Sequence, residues 1–441
     1  MARDSELIHL ESDIQKIQVK TNMYIQEYGK AGTFHMAREI AQNAIDECLD
    51  PDSNGKRIEY QYDMATDMFT CEDDGRGFNE EKYDMAVFCT TLQSGSKFFR
   101  EGDASTSGEF GVGMTVVNAL SDYFMLESLR EAEKTDHIIE FEDGKLKNDK
   151  RKSNQSGKHG TKVKFKSNPK YMGNDCALPV EDMIKWVETV FCLDSEKLNK
   201  KGISCKFLVY DGMTLKETHK IKPSPFKSLI DKILPEGFGK RDFSSQMMIS
   251  GDKEFVENSK TLVEKKDGTK TVEIVPTQKH IHMDVCLQYA VNPELNDPAT
   301  YDTYCNYTNT VKNGVHLKAF EEAFCRFMYG AVNETMSDSQ KDKMKISWDD
   351  IRNNLYCIIN LSSNAAVGFV GNAKEEIGNE ALIPHMKELL NKKIKKFFNE
   401  NPSVLNEYIK IIKLNAKARI EASKIKTASQ TERLNTFKEH K

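Results

Sequence analysis

Glu39-Ile40-Ala41-Gln42-Asn43-Ala44-Ile45-Asp46-Glu47 is the stretch from which the fold of this chain is read. Glu39 and Asn43 lie one helical turn apart on a shared face, which Asp46 and Glu47 prolong. Met36, Ile40 and Ala44 form an apolar row at the same spacing. The segment predicts an amphipathic helix whose polar face is short-chained and acidic. Asn43 offers the kind of oxygen that a magnesium–triphosphate accepts, and Glu39 a carboxylate able to orient or deprotonate water. His35, one turn before Glu39, is placed to hydrogen-bond and tune it. Taken alone, an ordinary solvated acidic face has the same pattern.

Two further segments complete a pocket. Met68-Phe69-Thr70-Cys71 reads as a strand that ends in Asp73-Asp74-Gly75-Arg76-Gly77. An aspartate there accepts from an exocyclic amine such as that of adenine, and the glycines let the backbone approach a flat ligand. Gly108, Gly111 and Gly113 then precede Met114-Thr115-Val116-Val117-Asn118-Ala119-Leu120, a helix start. Bare N–H groups at a helix N-terminus favour phosphate. The loop lacks the Gly-Lys-Ser/Thr ending of a Walker loop and the βαβ setting of a dinucleotide fingerprint.

Asn43 to Glu47, Asp73 to Gly77, Gly111-Val112-Gly113 and Val116 to Ser121 together resemble DNA gyrase B and its type IIA topoisomerase relatives, within the GHKL ATPases. Met23-Tyr24-Ile25, Ser94-Gly95-Ser96-Lys97-Phe98, Gly160-Thr161, Asn306 to Thr310, Gly314-Val315-His316 and Phe369 to Lys374 resemble further blocks of that family, in family order. The resemblance implies an α+β chain. A GHKL (Bergerat) ATPase sandwich would occupy residues 1–222 and a transducer of ribosomal-S5-like fold residues 223–441, ending in a long helix; Pro223 and Pro225 mark the junction.

By position, the resemblance makes Glu39 the general base, supported by His35, and Asn43 the Mg2+ ligand. Asp73 reads the adenine of ATP with Thr161 beside it, while Asp46, Glu47, Gly75, Arg76 and Gly77 line the pocket and Arg130 sits at its mouth. Lys97, Gly108, Gly111, Val112 and Gly113 form a phosphate lid; Lys374, with Asn372, reaches the γ-phosphate. Asn372 and Ala373 replace the family's Gln and Thr, Gln42 replaces an Asp, Thr21-Asn22 replaces Pro-Gly, and no tyrosine occurs in 91–113.

The function implied is the ATP-hydrolysing gate of a type II topoisomerase. It would dimerise on ATP to capture duplex DNA for a partner chain that carries the TOPRIM metal site and the cleavage chemistry. Glu101-Gly102-Asp103-Ala104-Ser105 mimics a TOPRIM motif but reads as polar lid, since no Asp-x-Asp follows. The alternatives are a MutL-like or chaperone-like GHKL clamp, or a regulatory module that binds ATP without hydrolysing it.

Composition is consistent with this reading. The chain has 441 residues, enough for two cored domains, with 39% hydrophobic and 30% charged residues. No apolar run approaches the ~20 residues of a membrane span. The N-terminus lacks a signal-peptide core, and ten scattered cysteines without a Cys-x-x-Cys predict a reducing, cytoplasmic setting. His280-Ile281-His282 reads as alternate positions on a strand. Residues 133–160 suit a hairpin, and 236–275 read as an excursion without clear periodicity. From His385 onward fourteen Lys/Arg face six Asp/Glu, although the whole chain carries −5. Two helices are predicted there, with Lys413, Lys417 and Arg419 as candidates for sequence-neutral contact with DNA phosphates.

Overall fold

The computed structural model describes residues 12–25, 27–79, 84–92, 112–130, 135–153, 157–235, 242–264, 270–291, 297–370 and 374–439. The chain divides into two compact units, one built on Met1–Phe226 and the other on Lys227–Ser259, Ile274–Val370 and Lys374–Lys441.

The first unit opens with helices α1 (Asp13–Val19), α2 (Thr21–Tyr24) and α3 (Gly29–Leu49). Strands β1 (Arg57–Asp63) and β2 (Met68–Asp73), then α4 (Met85–Thr90) and α5 (Gly113–Ala119), follow. Strands β3 (Ser121–Arg130), β4 (Thr135–Glu142), β5 (Lys145–Ser153) and β6 (Gly160–Ser167) come next. Helices α6 (Pro169–Met172), α7 (Val180–Leu193) and α8 (Ser195–Lys201) lead to β7 (Ser204–Asp211) and β8 (Thr214–Ile221). The eight strands form one sheet in the order β5-β4-β3-β6-β2-β1-β7-β8. β1 and β7 run parallel.

One face of this sheet is apolar, because alternate residues such as Ile58, Tyr60 and Tyr62 point inward. Tyr60, Phe69, Phe165 and Phe207 meet there with ring centroids 5.6 to 6.5 Å apart. Helix α3 buries Met36, Ala37, Ile40, Ala41, Ala44 and Cys48, and its Ala41 carbonyl accepts from the Tyr60 hydroxyl at 3.1 Å. This fixes the helix's rotation and leaves Glu39 and Asn43 half-buried on another side. The end of α3 is held by Lys201, whose Nζ donates to the carbonyls of Cys48, Asp50 and Ser53 at 2.9, 2.5 and 3.1 Å. The ammonium also answers the negative end of the helix dipole.

The second unit holds most of the long strands β9 (Met247–Glu264) and β10 (Lys270–Tyr289), outside residues 260–273, then β11 (Thr300–Cys305) and β12 (Thr308–Asn309). Helices α9 (Val315–Glu334), α10 (Asp338–Lys343) and α11 (Trp348–Arg352) precede β13 (Leu355–Ser363), and α12 (Ile383–Glu400) and α13 (Pro402–Glu439) end the chain. The sheet order is β12-β11-β13-β10-β9. Every residue of β13 is buried. Phe320 and Phe324 of α9, Phe398 of α12 and Tyr408 of α13 pack into the core beside it.

Two expectations change. The stretch read as an irregular excursion is mostly β-ribbon, with strands of 18 and 20 residues. Val256, Val272 and Ile274 are exposed on it, so apolar residues are not confined to its covered side and the sequence carries no clear period-two signal there. Arg419 is not a free cation for DNA. Its Nε and its NH2 donate to the two Asp350 oxygens at 2.7 and 2.8 Å, and Asp350 is fully buried. Lys413 donates to the Thr335 carbonyl at 3.4 Å, whereas Lys417 is exposed.

Candidate nucleotide site

The first unit sets most of the predicted side chains along one side of α3, from His35 to Glu47, and at the end of β2. The carboxylate of Asp73, the last residue of β2, is only 7% exposed. It accepts from the Gly75 N–H at 2.8 Å and from the backbone of Thr161, its partner across β6. Burial raises its pKa to about 8, and the nearby Glu47 and Asp74 charges push the same way against those hydrogen bonds. A buried carboxyl with so few partners at a strand end is suited to meet an incoming donor. Asp74, by contrast, is structural: its Oδ1 accepts from the N–H groups of Lys56 and Arg57, both at 2.6 Å.

Gly160 sits so close to the chain at Asp73 that a Cβ would strike the Asp73 carbonyl, and its φ is +136°. The Gly-Thr pair is therefore a close-approach point as well as a wall. Gly77, at φ +73°, continues the turn.

Glu47 and Arg76 are tied to each other. Glu47 Oε1 accepts from the Arg76 N–H at 2.8 Å and from its Nε at 2.9 Å, and Oε2 accepts from NH2 at 2.9 Å. Asp50 takes the same guanidinium at 2.9 Å. Burial alone would raise the Glu47 pKa, but the Arg76 hydrogen bonds and charge hold it below its ordinary value. Asp46 is buried and accepts from Gln42 Nε2 at 2.8 Å. Asp46 and Glu47 thus brace the wall through intramolecular bonds.

Glu39 and Asn43 share the α3 face as expected. His35 Nε2 stands 3.9 Å from Glu39 Oε1, an electrostatic contact longer than a hydrogen bond. Val112 is the N-cap of α5 and Gly113 its first residue. A Cβ on Gly113 would come within 2.5 Å of Glu39 Oε2, so the start of α5 closes directly on that carboxylate. Arg130 ends β3. Lys374 is buried in the second unit at φ +57°. Lys97, Gly108, Gly111 and Asn372 lie outside the described residues.

Among the described residues no three His, Cys, Asp or Glu side chains are grouped to hold a metal. The donors present still fit Mg2+, which uses one or two protein oxygens and completes its shell with phosphate and water. Asn43 beside Glu39 is such a donor. His280 and His282 both meet Asp252 Oδ1, at 2.9 Å each, and His282 Nε2 meets Asp284 at 3.1 Å. No helix among the described residues is long and apolar enough to cross a membrane.

Sequence reading missed two residues here. Lys201 closes α3 across 148 to 153 residues of chain. His159 Nδ1 reaches the Gly75 carbonyl at 2.8 Å; the only local hint was its place next to Gly160-Thr161.

Comparison with known proteins follows the two units. The family described as histidine kinase-, DNA gyrase B- and HSP90-like ATPase matches residues 30–169. The family described as DNA gyrase B matches residues 248–428. DNA gyrase B of Mycoplasma genitalium is 26% identical over 426 residues, 94% of this chain and 60% of the relative. Its counterpart in the DNA topoisomerase 4 of Mycoplasma capricolum is 25% identical, over 96% of this chain and 61% of the relative. The chain thus spans about 60% of the length of these relatives. Among solved structures, the 43K ATPase domain of Thermus thermophilus gyrase B, in complex with an aminocoumarin, superposes with TM-score 0.62 at 21% identity, covering 95% of this chain and 98% of that one. The ATP-binding domain of topoisomerase IV from Francisella tularensis gives TM-score 0.62 at 20% identity, covering 93% and 98%.

Proposed function

This chain belongs to the gyrase B group of GHKL ATPases, and from that premise we propose that it is the ATP-operated gate of a type II DNA topoisomerase. The observation that carries the reading is the closure of Gly113 on Glu39, one turn from Asn43, in the unit whose buried Asp73 closes β2.

Each residue then has a task. Asp73 accepts from the adenine amine. Glu39 takes a proton from the water that attacks the γ-phosphate. Asn43 would hold Mg2+, which when bound offsets the phosphate charge. Gly108, Gly111, Val112 and Gly113, with Lys97, cradle the phosphates through N–H groups and one cation. The resemblance assigns Lys374 to the γ-phosphate, where a cation would be worth about 3 kcal/mol as charge develops, with Asn372, a methylene shorter than the family's Gln, in the same loop.

ATP binding closes two copies of the chain around a duplex, and hydrolysis resets them. Lys417, exposed on α13, is a candidate phosphate contact. Strand cleavage needs TOPRIM and cleavage chemistry that lies beyond residues 1–441, and the assembly works in the cytoplasm.

Sedimentation with Mg2+ and a non-hydrolysable ATP analogue tests the gate. A monomer that becomes a dimer only with analogue supports it. A chain that binds the analogue and stays monomeric refutes the gate and leaves a nucleotide-binding module.

A further inference from the structure

One peptide unit in the nucleotide site is pinned from both sides. The carbonyl of Gly75 and the N–H of Arg76 belong to the same planar amide. Glu47 Oε1 accepts from that N–H at 2.8 Å. His159 Nδ1 lies 2.8 Å from that carbonyl. A carbonyl only accepts, so Nδ1 carries the proton and donates. The preceding amide is held too, since the Gly75 N–H donates to Asp73 Oδ1.

Glycine has no Cβ to oppose rotation of this peptide. Without a partner on its oxygen, the 75–76 amide could flip, turning its N–H from Glu47 and loosening the turn whose preceding amide donates the Gly75 N–H to Asp73. His159 is half-buried and begins a run of three residues that grip the turn. Gly160 lies against the Asp73 carbonyl and the Thr161 backbone donates to the Asp73 carboxylate.

We propose that His159 is a positioning residue for adenine recognition: it locks the Gly75–Arg76 peptide and thereby presets the Asp73 carboxylate for the base. This rests on the nucleotide-site reading above. His159 acts on the Gly75 carbonyl in the turn beside Asp73 and has no place among the groups assigned above to the phosphates and Mg2+, so its effect falls on binding and not on the chemical step.

The test uses the full chain with Mg-ATP and, separately, a non-hydrolysable ATP analogue. His159→Ala should raise KM and the analogue Kd about five- to tenfold, the worth of one such hydrogen bond, and leave kcat within about twofold. His159→Asn places an amide N–H near Nδ1 and should restore most of the affinity. His159→Gln, whose N–H falls nearer Nε2, should not. Thermal melts of all three variants confirm folding.

An unchanged Kd in His159→Ala overturns the proposal. So does equal recovery by Asn and Gln, or a fall in kcat at constant KM. If the wild-type chain binds no analogue, the nucleotide reading itself fails, which is a different result from variants that match a binding wild type.

Discussion

Replacing Asp73 with Asn should stabilise the first unit and weaken its hold on ATP. The carboxyl is pushed to about 8 from an ordinary 3.8, chiefly by burial. Because the folded value lies above the unfolded one, the native state keeps a proton that the unfolded chain has released. Stability is then intact below about pH 4 and is lost as pH rises, at up to about 1.4 kcal/mol per pH unit, until about pH 8. Between about pH 5 and pH 8 the ceiling is therefore about 4 kcal/mol. Relaxation around the charge reduces that, and about 2–4 kcal/mol is the expected loss. Asn cannot ionise, and its oxygen still serves the Gly75 N–H.

Wild type and Asp73→Asn should therefore diverge as pH rises, the variant being the more stable at alkaline pH. Its amide N–H would face the adenine amine, donor against donor, so ATP affinity should fall at least about tenfold. The chain has two tryptophans, Trp186 in the first unit and Trp348 in the second. Urea titrations in a Trp348→Phe background, read by Trp186 fluorescence across pH, isolate the relevant unit. Calorimetry gives the affinity. Parallel pH curves for the two proteins would refute the reasoning that Asp73 is a desolvated carboxyl held ready for a donor.

Other predictions concern charge and caps. His282 is raised to about 9: burial alone would lower it, but Asp284 and Asp252 outweigh that. Its contribution is full below about pH 6.5 and lost as pH rises through about 9, up to about 3 kcal/mol, so His282→Gln should flatten the alkaline fall reported by Trp348. Lys201→Met leaves three carbonyls at the end of α3 without their donor and should cost about 2–4 kcal/mol in the first unit's urea unfolding. Arg419→Ala strands the buried Asp350 and should cost about 3–4 kcal/mol. Lys417→Ala should change stability by no more than about 0.5 kcal/mol, so any loss of DNA-stimulated ATPase in that variant reports DNA contact.

The parts legible in the sequence are those with a local signature. Helix α3 has one apolar row, the hairpin of β4 and β5 falls within the polar stretch 133–160, and His280 to His282 alternate on β10. The Gly-rich turn of residues 75–77 and the first turn of α5 were visible because close backbone approach excludes side chains there. Pairing across long stretches of chain was not. Glu47 shared a face with Asn43 and read as a nucleotide contact, but Arg76, 29 residues on, occupies it. Arg419 read as one cation in a basic stripe, while Asp350 lies 69 residues away. His159 had no periodicity to flag it, and the β9–β10 ribbon carries exposed apolar residues such as Val256, Val272 and Ile274 that blur the alternation expected of a strand.

The central claim is ATP hydrolysis with Glu39 as base. The most direct test is steady-state, magnesium-dependent ATP turnover by wild type beside Glu39→Ala, with analogue binding measured on both. The account predicts turnover by the wild type, a fall of at least about a hundredfold in the variant, and binding that is retained. Near wild-type turnover by Glu39→Ala, or a wild type that binds the analogue and never hydrolyses ATP, would contradict it.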